Sequence, residues 1–174
     1  MKIVAKRKEL TGGILGEGKH RVTIKSAEPC LSQENNQWAD RTPQLKVVFE
    51  NNNGVITHWF NLKGYKNSKD VNGIAGKGFA FKSFDENSEE FLCKIDAKTG
   101  KATRVASDER TEKLSENIAN LAFCAGIDEL DTDEPADLVG QEVGIDVRLN
   151  ERGYSEVYFV MEADRVPAST EVEA

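Results

Sequence analysis

The sequence predicts a β-rich fold of five strands and a single helix. Three observations carry that reading. Apolar and polar residues alternate over several short segments, the period of a half-buried strand. Only 107–126 spaces its apolar residues as a helix does. Turn residues separate paired strand segments, as in NNNG at 51–54 and ERG at 151–153. A parallel α/β fold is excluded, because no helices alternate with the strands.

The first strand is KHRVTIKSAEPC (19–30), with Val22 and Ile24 on one side and Arg21, Thr23 and Lys25 on the other. LSQENNQWADRTP (31–43) is polar and ends in proline, so it reads as a loop. QLKVVFEN (44–51) is a second strand with Leu45, Val47 and Phe49 on one face, and 55–63 returns as a third. In that third strand Trp59 and Phe60 are adjacent and must point to opposite faces. Phe60 shares its side with Ile56 and Leu62 and is assigned to the core, which leaves Trp59 outside. Residues 64–89 lose the pattern and read as a surface insertion, and FLCKIDAKTGKATRV (91–105) as a small hairpin turning at AKTG. In the helix, Ser107 is the expected cap, Leu114, Ile118, Leu121 and Ala125 form the apolar stripe, and Gly126 ends it. DELDTDEPAD (128–137) is an acidic loop. Residues 138–150 make a fourth strand with Val143, Ile145, Val147 and Leu149 on one face, and 154–166 a fifth.

Strand, strand, strand, insertion, helix, strand, strand is the order of an OB-fold barrel, five strands with a helix between the third and fourth. The expected organisation is one domain over 1–166 with an insertion at 64–106, then a short acidic disordered tail, 167–174.

Composition narrows the function classes. The net charge of −7 is unevenly spread: residues 1–82 carry 14 Lys/Arg against 7 Asp/Glu, residues 83–174 carry 9 against 23. A basic half suits an anionic partner. No stretch approaches the about 20 apolar residues of a membrane span, and the basic N-terminus lacks the apolar segment of a signal peptide. Cys30, Cys93 and Cys124 are scattered, and with only His20 and His58 beside them a zinc site is not expected. Unpaired cysteines fit a reducing cytoplasm.

GEGKHRVTIKSAEP (16–29), PQLKVVFENNNGVITHWFNLKGY (43–65) and LVGQEVGIDVRLNERGYSEVYFV (138–160) together resemble the gapped core of the OB-fold single-stranded DNA-binding proteins encoded by phages and prophages. The resemblance covers roughly half the chain. It implies a non-catalytic protein that coats single-stranded DNA in phage-type replication and recombination, without a cofactor, in the bacterial cytoplasm. It also implies an acidic tail that recruits replication or recombination proteins, and a possible homo-oligomer. This tail ends in Glu173 and Ala174, without a terminal aromatic.

Single-strand binding needs cations to follow the phosphates and aromatic faces on which bases stack. OB folds place these on the outer face around strands two and three and in the flanking loops. The candidates there are Arg21 and Lys25 on strand one, Trp38 and Arg41 in the first loop, Lys46 on strand two, and Trp59, Lys63 and Tyr65 on and after strand three. Lys66, Lys69 and Lys77 follow in the insertion, and Arg152 and Tyr154 lie in the last loop. Lys82 continues the insertion's lysines, while Phe79 and Phe81 are expected to fold back onto the barrel. Trp38 is expected to touch a ligand or partner, because its polar loop offers no local apolar neighbour.

Catalytic signatures are weak. GIAGKG (73–78) lacks the GKS/GKT ending of a phosphate loop. The run Asp128, Asp131, Asp133, Asp137 lacks the glycine and final glutamate of a calcium loop. Two isolated histidines support no Ser/His/Asp set, and nothing marks a cysteine as activated. The expectation is no enzyme and no metal. Two further readings remain open. One is an OB-like protein-interaction module, which the overall acidity favours. The other is oligosaccharide binding, against which the lysines argue.

Overall fold

The computed structural model describes residues 13–70, 78–83 and 89–167. The basic N-terminal run, most of GIAGKG, Lys77 and residues 168–174 of the acidic tail lie outside them. The strands are β1 (Gly18–Leu31), β2 (Pro43–Asn51), β3 (Gly54–Asn61), β4 (Gly64–Tyr65), β5 (Phe79–Lys82), β6 (Phe91–Ile95), β7 (Ala102–Arg104), β8 (Ala106–Ser107), β9 (Glu142–Leu149) and β10 (Ser155–Met161). Helix α1 is Asp108–Cys124. The fold is β-rich with one α-helix among the described residues and antiparallel sheets. The main sheet has the order β10-β9-β1-β2-β3; it is open, with β10 and β3 outermost. The chain forms two compact units. The first takes the chain up to Ala27, Val47–His58 and everything from Asn120; the second takes Glu28–Lys46 and Trp59–Ala119.

In the first unit β1 runs antiparallel to β9 from Gly18↔Val147 to Thr23↔Glu142, and β10 flanks β9. The alternation read in the sequence becomes burial. Val22, Ile24, Val47, Phe49, Val143, Ile145 and Val147 are all at most 2% exposed, each contributing roughly 1.5–3 kcal/mol for the larger side chains. Leu149 departs from the expected stripe and is exposed, because β9 ends there and the chain turns. The fourth strand also starts later than expected. Pro135–Leu138 forms a short 3-10 helix instead, and its C-terminal turn hands Gly140 N–H to the Ile24 carbonyl. The fifth strand ends at Met161, and a second 3-10 turn, Ala163–Arg165, delivers Val166 into the core. The C-terminal end of α1 belongs to this unit. Gly126 there adopts φ 75°. Its N–H bonds the Phe123 carbonyl and that of Ile127 bonds Ala122, which closes the helix in the pattern that favours glycine.

In the second unit β5, β6 and β7 form a three-stranded sheet. The β6–β7 hairpin turns where expected, with Gly100 N–H bonding the Asp96 carbonyl and Asp96 N–H bonding that of Lys101. β4 pairs with β8. Gly64 lies so close to α1 that a Cβ there would meet Arg110 and the Thr111 nitrogen, the latter at 2.8 Å. Its N–H bonds the Thr111 hydroxyl instead. At the helix start Arg110 N–H bonds the Ser107 hydroxyl, the cap the sequence implies.

Candidate nucleic-acid interface

Trp38 is the main correction. The sequence places it in a polar loop with nothing apolar nearby, but it is 3% exposed and packs with Cys93, Ala102 and Phe91. The loop is pinned to the hairpin: Ala39 N–H bonds the Ala102 carbonyl, and Ala102 N–H bonds that of Gln37. Its apolar partners come from more than fifty residues downstream, so no local pattern reveals them. Tyr65 is corrected in the same way. It is 6% exposed, edge-on to Phe91, and covered by the Arg104 guanidinium at 4.0 Å from its centroid. Neither ring can receive a base.

Arg104 holds this arrangement together. Its Nε donates to Asp40 Oδ2 at 2.9 Å, its Nη2 to Thr42 Oγ1 at 2.9 Å, and its backbone N–H to Asp40 Oδ1. The rings of Tyr65, Phe91 and Trp38 all lie within cation–π range of its guanidinium. An arginine in a short strand reads as a solvated cation, which is why sequence reasoning passed over it.

Several of the expected groove cations are already engaged. In the first unit Arg21 donates from Nε to the Val166 carbonyl, and Lys25 pairs with Glu50 at 3.9 Å. In the second, Arg41 bonds the Ser32 carbonyl and pairs with Glu34, and Lys46 pairs with Glu28 at 3.7 Å. These are exposed, long pairs of small energetic weight. Lys63 Nζ lies 5.7 Å over Tyr65. Lys66 and Lys69 are exposed. Trp59 is 50% exposed and Phe60 7%, the division that the strand period dictates. Phe79 is exposed and Phe81 half-buried.

The first unit presents an aromatic surface that the sequence only half reveals. Arg152 and Tyr154 sit in the β9–β10 turn as expected. Asn150 organises that turn: its Oδ1 accepts from the N–H of Arg152 and of Tyr154, and its Nδ2 donates to Glu156. Gly153 N–H closes back onto the Asn150 carbonyl. Just beyond, the β10 register slips by one residue between Val157 and Phe159, a β-bulge. Strict alternation would send Phe159 inward with Val157. The extra residue turns both Tyr158 and Phe159 outward instead, at 63% and 50% exposure, with Tyr154 at 67%. The Arg148 guanidinium lies over Tyr158, its carbon 3.5 Å from the centroid, and Asp146 holds it there at 3.1 Å. Bulges commonly re-aim side chains at functional sites. The hairpin thus offers three exposed rings and a stacked guanidinium on a turn fixed by hydrogen bonds.

His58 on β3 feels a charge on β10. Burial pushes the His58 imidazole below its usual pKa of 6.5, and the Glu156 carboxylate on β10 opposes that shift. The folded pKa is depressed, so between that value and 6.5 the unfolded chain binds more protons. Stability therefore falls as the pH drops through 6.5, by at most about 1.4 kcal/mol per pH unit for one proton. Urea midpoints from about pH 7.5 to about pH 5.5 should decrease in the parent, and less so in His58→Gln. Equal pH dependence in both would reject this role for His58.

Among the described residues no group of three or more His, Cys, Asp or Glu is placed to hold a metal ion, and no helix is long and apolar enough to cross a membrane. Compared with protein-family models, curated proteins and solved structures, the chain matches none.

Proposed function

We propose that the protein binds single-stranded DNA without catalysis, in a reducing cytoplasm, on an OB-type barrel whose β9–β10 hairpin supplies the stacking surface. The observation that carries this reading is the bulge that leaves both Tyr158 and Phe159 exposed on the hairpin whose turn exposes Tyr154. Soluble proteins rarely leave several large rings exposed on one hairpin without a use. Bases stack on such rings regardless of identity, at about 1–3 kcal/mol per base. Two features support the barrel. A five-stranded Greek-key barrel opened between its third and last strands has the strand order found in this sheet. A charge on one outer strand also acts on the other, since Glu156 on β10 opposes the lowering of the His58 pKa on β3.

The charge pattern sharpens the reading. On the hairpin Arg148 and Arg152 are matched by Asp146, Glu151 and Glu156, so affinity there comes from stacking. The phosphate term falls to lysines such as Lys66 and Lys69, for which the described residues provide no acid partner. Titrating a fluorescein-labelled oligo-dT with the protein at rising salt tests the reading. Saturable binding that weakens with salt is expected. A protein partner captured after nuclease treatment, with no oligonucleotide affinity, would favour an interaction module instead.

A further inference from the structure

The second unit holds a cavity of about 320 Å3 that the hairpin stacking surface does not use. That is the lower end of the roughly 300–1,000 Å3 range of small-ligand sites. One wall is a face of α1: Arg110, Lys113, Leu114 and Asn117 recur at helical i, i+3, i+4 and i+7 spacing. Gly64, packed close against the helix, also lines it, with Lys63 and Tyr65.

Its charges are not equally available. Arg104 is committed to Asp40. Arg110 is held by Asp70 in a two-pronged pair and reaches Glu89 at 3.6 Å; its guanidinium holds the Asp70 carboxyl below the usual carboxylate range. Lys113 makes a 3.8 Å contact with Glu109, both side chains more than 70% exposed, and acts on the Asp70 carboxylate through charge alone. Lys63 meets no carboxylate among the described residues, only the Tyr65 ring. Two ammonium groups are thus left largely unspent on one cavity. A phosphate monoester carries about −1.5 to −2 at neutral pH, whereas a phosphodiester within a strand carries a single charge. The amides of Asn61 and Asn117 add hydrogen-bonding groups to the lining. The Asn61 oxygen already accepts from Gln44, which leaves its NH2 as the free end.

We propose that this cavity binds a nucleoside monophosphate, either free or as the 5′ end of a strand, with Lys63 and Lys113 meeting its terminal phosphate. The proposal stands independently of the hairpin reading, because it uses none of the hairpin residues.

Calorimetry with thymidine 5′-monophosphate, thymidine and inorganic phosphate tests it on the whole chain. The monophosphate should bind saturably with a Kd below about 1 mM. Lys63→Gln and Lys113→Gln should each lose about tenfold, the scale of one charge-assisted contact, and thymidine, which lacks both contacts, about a hundredfold. A monophosphate that binds no better than thymidine, or variants that bind it as the parent does, would overturn the proposal. Oligo-dT with and without a 5′-phosphate identifies the source. A phosphate-dependent gain that Lys113→Gln removes assigns the cavity to strand ends. Equal binding of the two oligonucleotides, with the monophosphate still bound, assigns it to the free nucleotide. Loss of all oligonucleotide binding with the monophosphate retained would refute the DNA reading and leave this one standing.

Discussion

Arg104→Ala is expected to cost about 3–5 kcal/mol of folding stability, the usual consequence of breaking a buried ion pair from one side. The Arg104 side chain is 6% exposed and that of Asp40 18%. Truncation leaves the Asp40 carboxylate with a single backbone N–H and removes the Thr42 hydroxyl's donor. It also uncovers Tyr65, whose face the guanidinium fills at 4.0 Å. Arg104→Lys should fare little better, because an ammonium cannot serve Asp40 and Thr42 in one plane and stack at the same time. The double variant Asp40→Asn, Arg104→Met should recover much of the loss, since a neutral pair leaves no uncompensated charge. Urea midpoints of the parent and the three variants decide this. If Arg104→Ala unfolds within about 1 kcal/mol of the parent, the cage is not a structural centre.

The second large effect is on binding. Tyr154→Ala and Tyr158→Ala should each weaken oligo-dT binding by about 1–3 kcal/mol, one lost stack apiece. Both residues are exposed, so stability should stay within about 0.5 kcal/mol of the parent. The salt slope should also hold, because neither change removes a charge. Lys66→Ala and Lys69→Ala should behave in the opposite sense: a loss that is greatest at low salt and shrinks as salt rises, with a slope shallower by about 0.7 for each phosphate contact removed. Fluorescence anisotropy at several salt concentrations separates the two classes. Aromatic variants that flatten the slope, or lysine variants that leave it unchanged, would contradict the division between stacking and charge.

Much of the frame was legible because it depends on neighbours in sequence. Alternation placed Val22, Ile24, Val47, Phe49 and Val143 correctly. It also settled which of Trp59 and Phe60 is buried, and Gly126 ended α1 where a left-handed residue was needed. The misses share one cause, a partner far away in the chain. Trp38 and Tyr65 were candidates for contact because Phe91, Ala102 and Arg104 are invisible from their own segments. Tyr158 and Phe159 were overlooked because period-two reasoning assumes an unbroken register, and the bulge breaks it. The one available signal was the sequence itself: VYFV, four strand-forming residues in a row with two aromatics at its centre, does not fit a strand with one wet face.

The most direct test of the binding account is an oligo-dT titration of the parent beside Tyr154→Ala/Tyr158→Ala/Phe159→Ala. The account expects saturable, salt-sensitive binding by the parent. It expects the triple variant to fold with an unchanged urea midpoint and to lose at least about a hundredfold in affinity, two or more stacks. A parent that leaves the oligonucleotide free at micromolar protein and low salt would contradict it, as would a triple variant that binds like the parent.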